Sequence, residues 1–246
     1  MAKAADDDDL RREAQGNINL LASKYNDFCK ASGLPTRAER MNVSGFKPTK
    51  TEKSRIAFNT KPGGSSSAAV DISFINSQKY ADKFKGLTNT GIVDEIVAEK
   101  SRFILKNRNG TLYEELFAID AHTGKTLTYI KGKDIKSVEM SSKLEKLLTN
   151  SRENSIIIIH NHPDSSTLSA KDIVTMLENK SISHTIAVGH DGTVYNISNI
   201  PRNMNVIKDF RVCYTKYRDE KWSDFTSRDK AWKDIAESWG FVYERK

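Results

Sequence analysis

The sequence predicts an α/β fold, a mixed sheet flanked by helices, with helical extensions at its N- and C-terminal ends. Three observations predict it. Ile156 to Ile159 are four consecutive β-branched residues, which read as a buried strand. Strand-turn-strand patterns stand before and after that run, the second turning on Asp191-Gly192. Helical periodicity fills the segments between them.

Taken in order, Leu10 to Lys30 reads as an amphipathic helix, with Leu10, Ile18, Leu21, Tyr25 and Phe28 on one face; Gly33-Leu34-Pro35 stops it. Asp6 to Asp9 suit the positive end of its dipole. Residues 1–34 form this first unit. Residues 35–69 are polar and basic, and Lys61 to Ser67 is a flexible linker by composition. Over 70–108 the sequence predicts a short strand, Val70 to Phe74, then helices Ser77 to Phe84 and Gly91 to Leu105. The apolar side of the latter carries Ile92, Ile96, Val97 and Ile104.

The central unit spans 109–200. A turn at Arg108 to Thr111 leads into strand Leu112 to Asp120, and Ala121 to Lys125 turns into strand Thr126 to Ile130. Ser141 caps a helix to Asn150 with Leu144, Leu147 and Leu148 inward. The isoleucine strand and a further helix follow, then strands Ser183 to Gly189 and Thr193 to Ile197. Residues 201–246 read as a helical extension whose aromatic residues, among them Phe210, Trp222, Trp232 and Trp239, cover a face of the domain.

Composition narrows the function classes. With 29% charged residues and a mean hydropathy of -0.58, the 246-residue chain is not one large core throughout. No apolar run approaches the roughly 20 residues of a membrane span, and the first residues carry no signal-peptide core. The net charge of +7 comes from dispersed Lys and Arg, denser only between Arg37 and Lys61, so nucleic acid is not an expected partner. Cys29 and Cys213 read as free thiols of a reducing compartment.

The chemistry lies at the end of the isoleucine run. His160 and His162, one residue apart in a strand, project to the same side, and Pro163 turns the chain away. Ser169 stands where a helix N-cap belongs, and Asp172 completes a capping-box-like opening whose carboxylate can point back at both imidazoles. His160, His162 and Asp172 are three zinc ligands that leave one coordination position open, the catalytic pattern rather than the structural one. His122 and His190 fall in hairpin turns, where polar residues are ordinary, and His184 at a strand start, where packing is the ordinary reading.

His-Asn-His-Pro followed by Ser-x-x-Asp resembles the motif of the JAMM (MPN+/JAB) zinc metalloproteases, which include deubiquitinases and prokaryotic relatives. The loop from Pro163 to Leu168 is shorter than in the eukaryotic pattern. The resemblance implies a cytidine-deaminase-like sheet, Zn2+ as cofactor, and a glutamate from an upstream strand as acid and base. Glu114 and Glu115 are the candidates; adjacent strand residues face opposite sides, and parity alone does not choose between them. The spacing in related sequences points to Glu114, which leaves Glu115 in solvent. On this reading Glu114 takes the proton of a zinc-activated water and returns it to the departing amine, while Ser169 donates to the oxyanion. The substrate is then a protein: a ubiquitin-like conjugate, a bacterial defence protein or a capsid component.

A second resemblance runs through Leu10 to Val43, Phe74 to Phe84, Arg108 to Asp120, Thr123 to Lys125 and Ile156 to Ile173, a succession of short matches similar to the C-terminal part of phage minor head (head morphogenesis) proteins. It implies a phage or prophage protein, in the cytoplasm of the bacterial host or virion-associated, with head or portal proteins as partners. Two further classes stay open beside the hydrolase: a virion module whose zinc is structural, and a toxin-type effector.

Overall fold

The computed structural model describes residues 69–135 and 138–246. The readings made for the N-terminal helix, the basic linker and Cys29 lie outside the described residues. The elements, in order, are α1 (Ile72–Ile75), α2 (Gln78–Ala81, continued by a 3-10 turn over Asp82–Phe84), α3 (Gly91–Arg108), β1 (Tyr113–Asp120), β2 (Thr126–Ile135), α4 (Ser142–Asn150), β3 (Ile156–His162), α5 (Ala170–Glu178), β4 (Ile182–Gly189), β5 (Val194–Ser198), α6 (Asn205–Asp219), α7 (Asp224–Trp239) and β6 (Val242–Arg245).

The strands form one mixed sheet in the order β2-β1-β3-β4-β5-β6. β3 and β4 are parallel and the other pairs antiparallel. A parallel pair needs a crossover, and α5 supplies it, so the helix that follows the two histidines must lie over the sheet. Helices cover both faces. Ile157 and Ile159 pack with Val93, Val97 and Ile104 of α3, whereas Ile156 and Ile158 pack with Leu144 of α4, Met176 of α5 and Trp232 of α7. Burial on both sides is why the strand is an unbroken apolar run instead of an alternating one. The α/β class with a helix-flanked mixed sheet, read from the sequence, is the class observed.

Several local expectations are corrected. Val70 to Phe74 is not a strand: the Asp71 carboxylate accepts the Phe74 N–H and starts the turn of α1. Five alternating residues fit either form, and the local cap decides. Ile92 does not join the apolar side of α3; it lies in the first turn and is 70% exposed. α3 runs on to Arg108 and β2 to Ile135. Leu144 and Leu148 are buried, as expected of α4, while Leu147 is only half-buried.

The stretch beyond Pro201 is not helical to its end. Gly240, in the left-handed conformation at φ 71°, stops α7, and the chain returns as β6 along β5. Its aromatics divide: Trp232 and Phe210 are buried and stacked at 3.9 Å between ring centroids, whereas Trp222 is exposed. Among the described residues no helix is long and apolar enough to cross a membrane.

Candidate metal centre

β3 carries His160 and His162 on the same face as Ile156 and Ile158. Both imidazoles are buried, at 4% and 7% exposure. The Ser165 N–H donates to the His162 carbonyl (2.9 Å) and tightens the turn that follows. α5 then opens with a full capping box. Ser169 Oγ accepts from the Asp172 N–H (3.2 Å), and both the Ser169 N–H and its hydroxyl donate to Asp172 Oδ2, each at 2.7 Å. The carboxylate is thereby held facing the strand end.

The three groups converge. His160 Nε2 and His162 Nε2 lie 2.9 Å apart; Asp172 Oδ1 is 3.5 Å from the first and Asp172 Oδ2 3.6 Å from the second. Burial works against ionising Asp172, but the two facing imidazoles and the Ser169 hydroxyl outweigh it and hold the carboxyl well below the usual carboxylate range.

The donor set fits a zinc ion. His162 Nδ1 lies 2.9 Å from the Ser166 carbonyl oxygen, which can only accept, so Nδ1 is the donor, and in the neutral ring, the form that binds a metal, Nε2 presents the lone pair. That lone pair points at a second imidazole nitrogen and at a carboxylate, an arrangement satisfied by a cation. Ligand atoms about 2.0–2.1 Å from a tetrahedral zinc stand about 3.3 Å apart, and the three separations observed bracket that figure. Two nitrogens and a carboxylate are a set zinc favours. Among the described residues these are the three side chains grouped closely enough to share an ion.

The sheet register places the two glutamates. Leu116 pairs with His160, so Glu114, of the same parity, faces the histidine side. It is 8% exposed and lines, with His160, His162, Ser169 and Asp172, a cavity of about 380 Å³. Glu115 faces α3. It is fully buried, not in solvent as expected, because Arg108 at the end of α3 balances it at 2.9 Å. The hydroxyl proton of Ser169 is directed to Asp172, and donation to an oxyanion requires it to turn away.

Sequence reasoning passed over the groups that hold this arrangement. Asn161, between the two histidines and fully buried, accepts the Glu115 N–H at Oδ1 (2.8 Å) and donates through Nδ2 to the Tyr113 carbonyl (3.1 Å) and His190 Nε2 (3.0 Å). It thus ties both peptide groups that flank Glu114. Arg108 donates to the Glu114 carbonyl (3.2 Å). His190 is consequently a buried partner of Asn161 and no ordinary turn residue, whereas His122 is exposed.

The loop after His162 is braced from afar. Tyr195 Oη donates to the Ser165 carbonyl (3.1 Å), Trp232 Nε1 donates to the Leu168 carbonyl (2.9 Å), and Tyr243 Oη bonds Thr167 Oγ1 (2.7 Å). The one sequence signal for Asn161 was its place inside the motif; the others carry none. Comparison with protein-family models, curated proteins and solved structures finds no match for this chain.

Proposed function

We propose that the chain is a zinc-dependent hydrolase of amide bonds, a peptidase or isopeptidase of the JAMM type, and that its sheet is the JAMM-like, cytidine-deaminase-like one. The observation that carries this reading is the convergence of His160 Nε2, His162 Nε2 and the Asp172 carboxylate on the wall of a cavity that also holds Glu114. A metal site serving the fold alone is closed by four protein ligands, whereas among the described residues this group has three and borders a cavity.

His160, His162 and Asp172 would hold the zinc ion, which when bound would supply Lewis acidity to a carbonyl and a water. The remaining work belongs to the chain. The Glu114 carboxylate takes the proton of the attacking water and returns it to the departing amine. Asn161 and Arg108 fix its backbone and so hold Glu114 at the cavity wall. Ser169 orients Asp172 and, once turned, donates to the developing oxyanion. The substrate on this reading is a protein amide. The resemblance to phage minor head proteins adds a setting, an infected bacterium or a virion, with head or portal proteins nearby.

Elemental analysis of the purified chain tests the reading first. About one zinc per chain is expected, lost in His162→Ala and kept in Glu114→Gln. Hydrolysis of a panel of peptides and ubiquitin-like conjugates is expected to fall about 10²–10⁴-fold in Glu114→Gln. No zinc after reconstitution, or unchanged turnover in Glu114→Gln, rejects the proposal.

A further inference from the structure

The carbonyl that sets the His162 ring belongs to Ser166, in the loop from Pro163 to Leu168. On its upstream side Ser166 is held by an exposed neighbour: its N–H and its hydroxyl donate to Asp164 Oδ1, at 3.1 Å and 2.7 Å. Its carbonyl, however, lies in the rigid peptide plane shared with the Thr167 N–H. Whatever fixes Thr167 therefore fixes the acceptor of His162 Nδ1.

Thr167 is fully buried, and its fastening has a defined direction. Tyr243 Oη donates to Asp229 Oδ1 (2.7 Å) and lies 2.7 Å from Thr167 Oγ1. A phenol has one proton, and here it goes to Asp229, so Thr167 is the donor to Tyr243. Burial pushes the Tyr243 phenol up, and the Asp229 charge adds to the effect, so the phenol keeps the proton it donates. Asp229 ends the chain of bonds. It is 4% exposed, and Lys233 Nζ at 3.1 Å and Arg245 Nη1 at 3.2 Å from Oδ2 balance its buried charge.

The residue before Ser166 is anchored as well. Ser165 takes the left-handed conformation at φ 60°, uncommon outside glycine. Tyr195 Oη holds its carbonyl, and its hydroxyl accepts the Asp191 N–H at 3.0 Å. Strain of this kind persists where the surroundings over-determine the backbone. Ser166 stands between two such anchors.

We propose that Thr167 and Tyr243, backed by Asp229, are positioning residues of the metal centre. Through the Ser166 carbonyl they hold His162 with its proton on Nδ1 and Nε2 turned toward His160 and Asp172. The consequence for zinc affinity rests on the reading above; the consequence for the ring rests on the loop alone.

Two measurements on the full chain test this. In metal-free protein at about pH 9, above the ordinary histidine range, the ring 15N shifts report the His162 tautomer. The Nδ1–H form is expected to dominate in the wild-type chain and to give way to a mixture in Thr167→Val and in Tyr243→Phe. In competition with a chelator, the same two variants are expected to bind zinc about tenfold more weakly, the low end of what loss of a ligand's partner costs. Thr167→Ser, which keeps the hydroxyl, should match the wild type in both measurements. So should Ser181→Ala, which removes a different buried bond, to the Leu148 carbonyl at 2.7 Å, at the end of β3 far from the histidines.

A wild-type tautomer in folded Thr167→Val overturns the proposal, because Asp164 then suffices to hold Ser166. Unchanged affinity in that variant, where the wild-type chain binds zinc, overturns it too. So does a Ser181→Ala as weak as Thr167→Val, since the loss then follows stability and not position. The hydrolase reading fails separately. A chain that shows the tautomer shift but takes up no zinc, or hydrolyses nothing, upholds the positioning and sinks the hydrolase, whereas hydrolysis with the tautomer unmoved sinks the positioning alone.

Discussion

At the scale of single residues the site depends on a side chain that performs no chemistry. The β1–β3 register stops at Leu116 and His160, two residues short of Glu114, and Asn161 continues the pairing with its amide where backbone pairing ends. Its orientation is fixed by its partners, since a flipped amide would set Nδ2 against the Glu115 N–H and Oδ1 against the Tyr113 carbonyl. Asn161→Asp keeps the acceptor for Glu115 but sets an oxygen against the Tyr113 carbonyl. The expected result is at least a tenfold lower kcat at unchanged KM and full zinc content, because only the aim of Glu114 is altered. Asn161→Leu strands three buried polar groups and is expected to cost about 3 kcal/mol in urea unfolding of the zinc-free chain. A folded, zinc-loaded Asn161→Asp with wild-type kcat rejects the positioning role. The sequence showed both histidines and Asp172 because their spacing is local. It showed Glu114 only as one of two candidates, because the choice hangs on a partner strand some forty residues away.

At the scale of elements, Ser169 joins helix stability to the ligand set. Its hydroxyl accepts the Asp172 N–H and donates to the Asp172 carboxylate, so one atom both starts α5 and orients the proposed metal ligand. Ser169→Ala is expected to lower the stability of the zinc-free chain by about 1 kcal/mol, the worth of an N-cap. It should also weaken zinc affinity about 10–100-fold, the loss typical when a partner of a metal ligand is removed. Ser169→Thr, which keeps the hydroxyl, should restore both; a Thr variant as weak as Ala in chelator competition would reject the account. The start of α5 was legible because a capping box is written in four consecutive residues. α1 and β6 were not. The five residues from Val70 alternate like a strand, and only the reach of the Asp71 carboxylate to the Phe74 N–H reveals a helical turn. β6 is four residues long and exists by pairing with β5, a contact no local pattern announces. The tip of the β4–β5 turn shows the same dependence on distant packing. Gly192 sits at φ 81°, and a Cβ there would lie 2.5 Å from the Phe74 ring of α1.

At the scale of the molecule, the sheet is a partition between two apolar layers, and four isoleucines buried on both faces announced it. Strand order was not legible, nor was the ion pair of Arg108 with Glu115, since both arise only once α3 lies across the sheet. The same layer decides how the fold responds to acid. His184 in β4 pairs with Ile157 on the α3 side and is 7% exposed. Burial pushes its imidazole below the ordinary value, against the opposing pull of the Leu87 backbone, Asp94 and Glu244. The unfolded chain therefore takes up a proton at His184 as pH falls through about 6.5, while the folded chain does not until lower pH. Stability is then full above about pH 6.5 and declines below it, by at most about 1.4 kcal/mol per pH unit for this one group, until His184 protonates in the fold. Carboxylates as a class titrate lower, near pH 4, so the two losses separate on the pH axis. Urea unfolding from pH 7.5 to 5 is expected to show this decline in the wild-type chain. In His184→Gln it should be shallower by the His184 share, with the metal group and the other histidines common to both proteins. Parallel curves for the two would mean that the buried imidazole titrates alike folded and unfolded, and that the α3 layer does not exclude water from it.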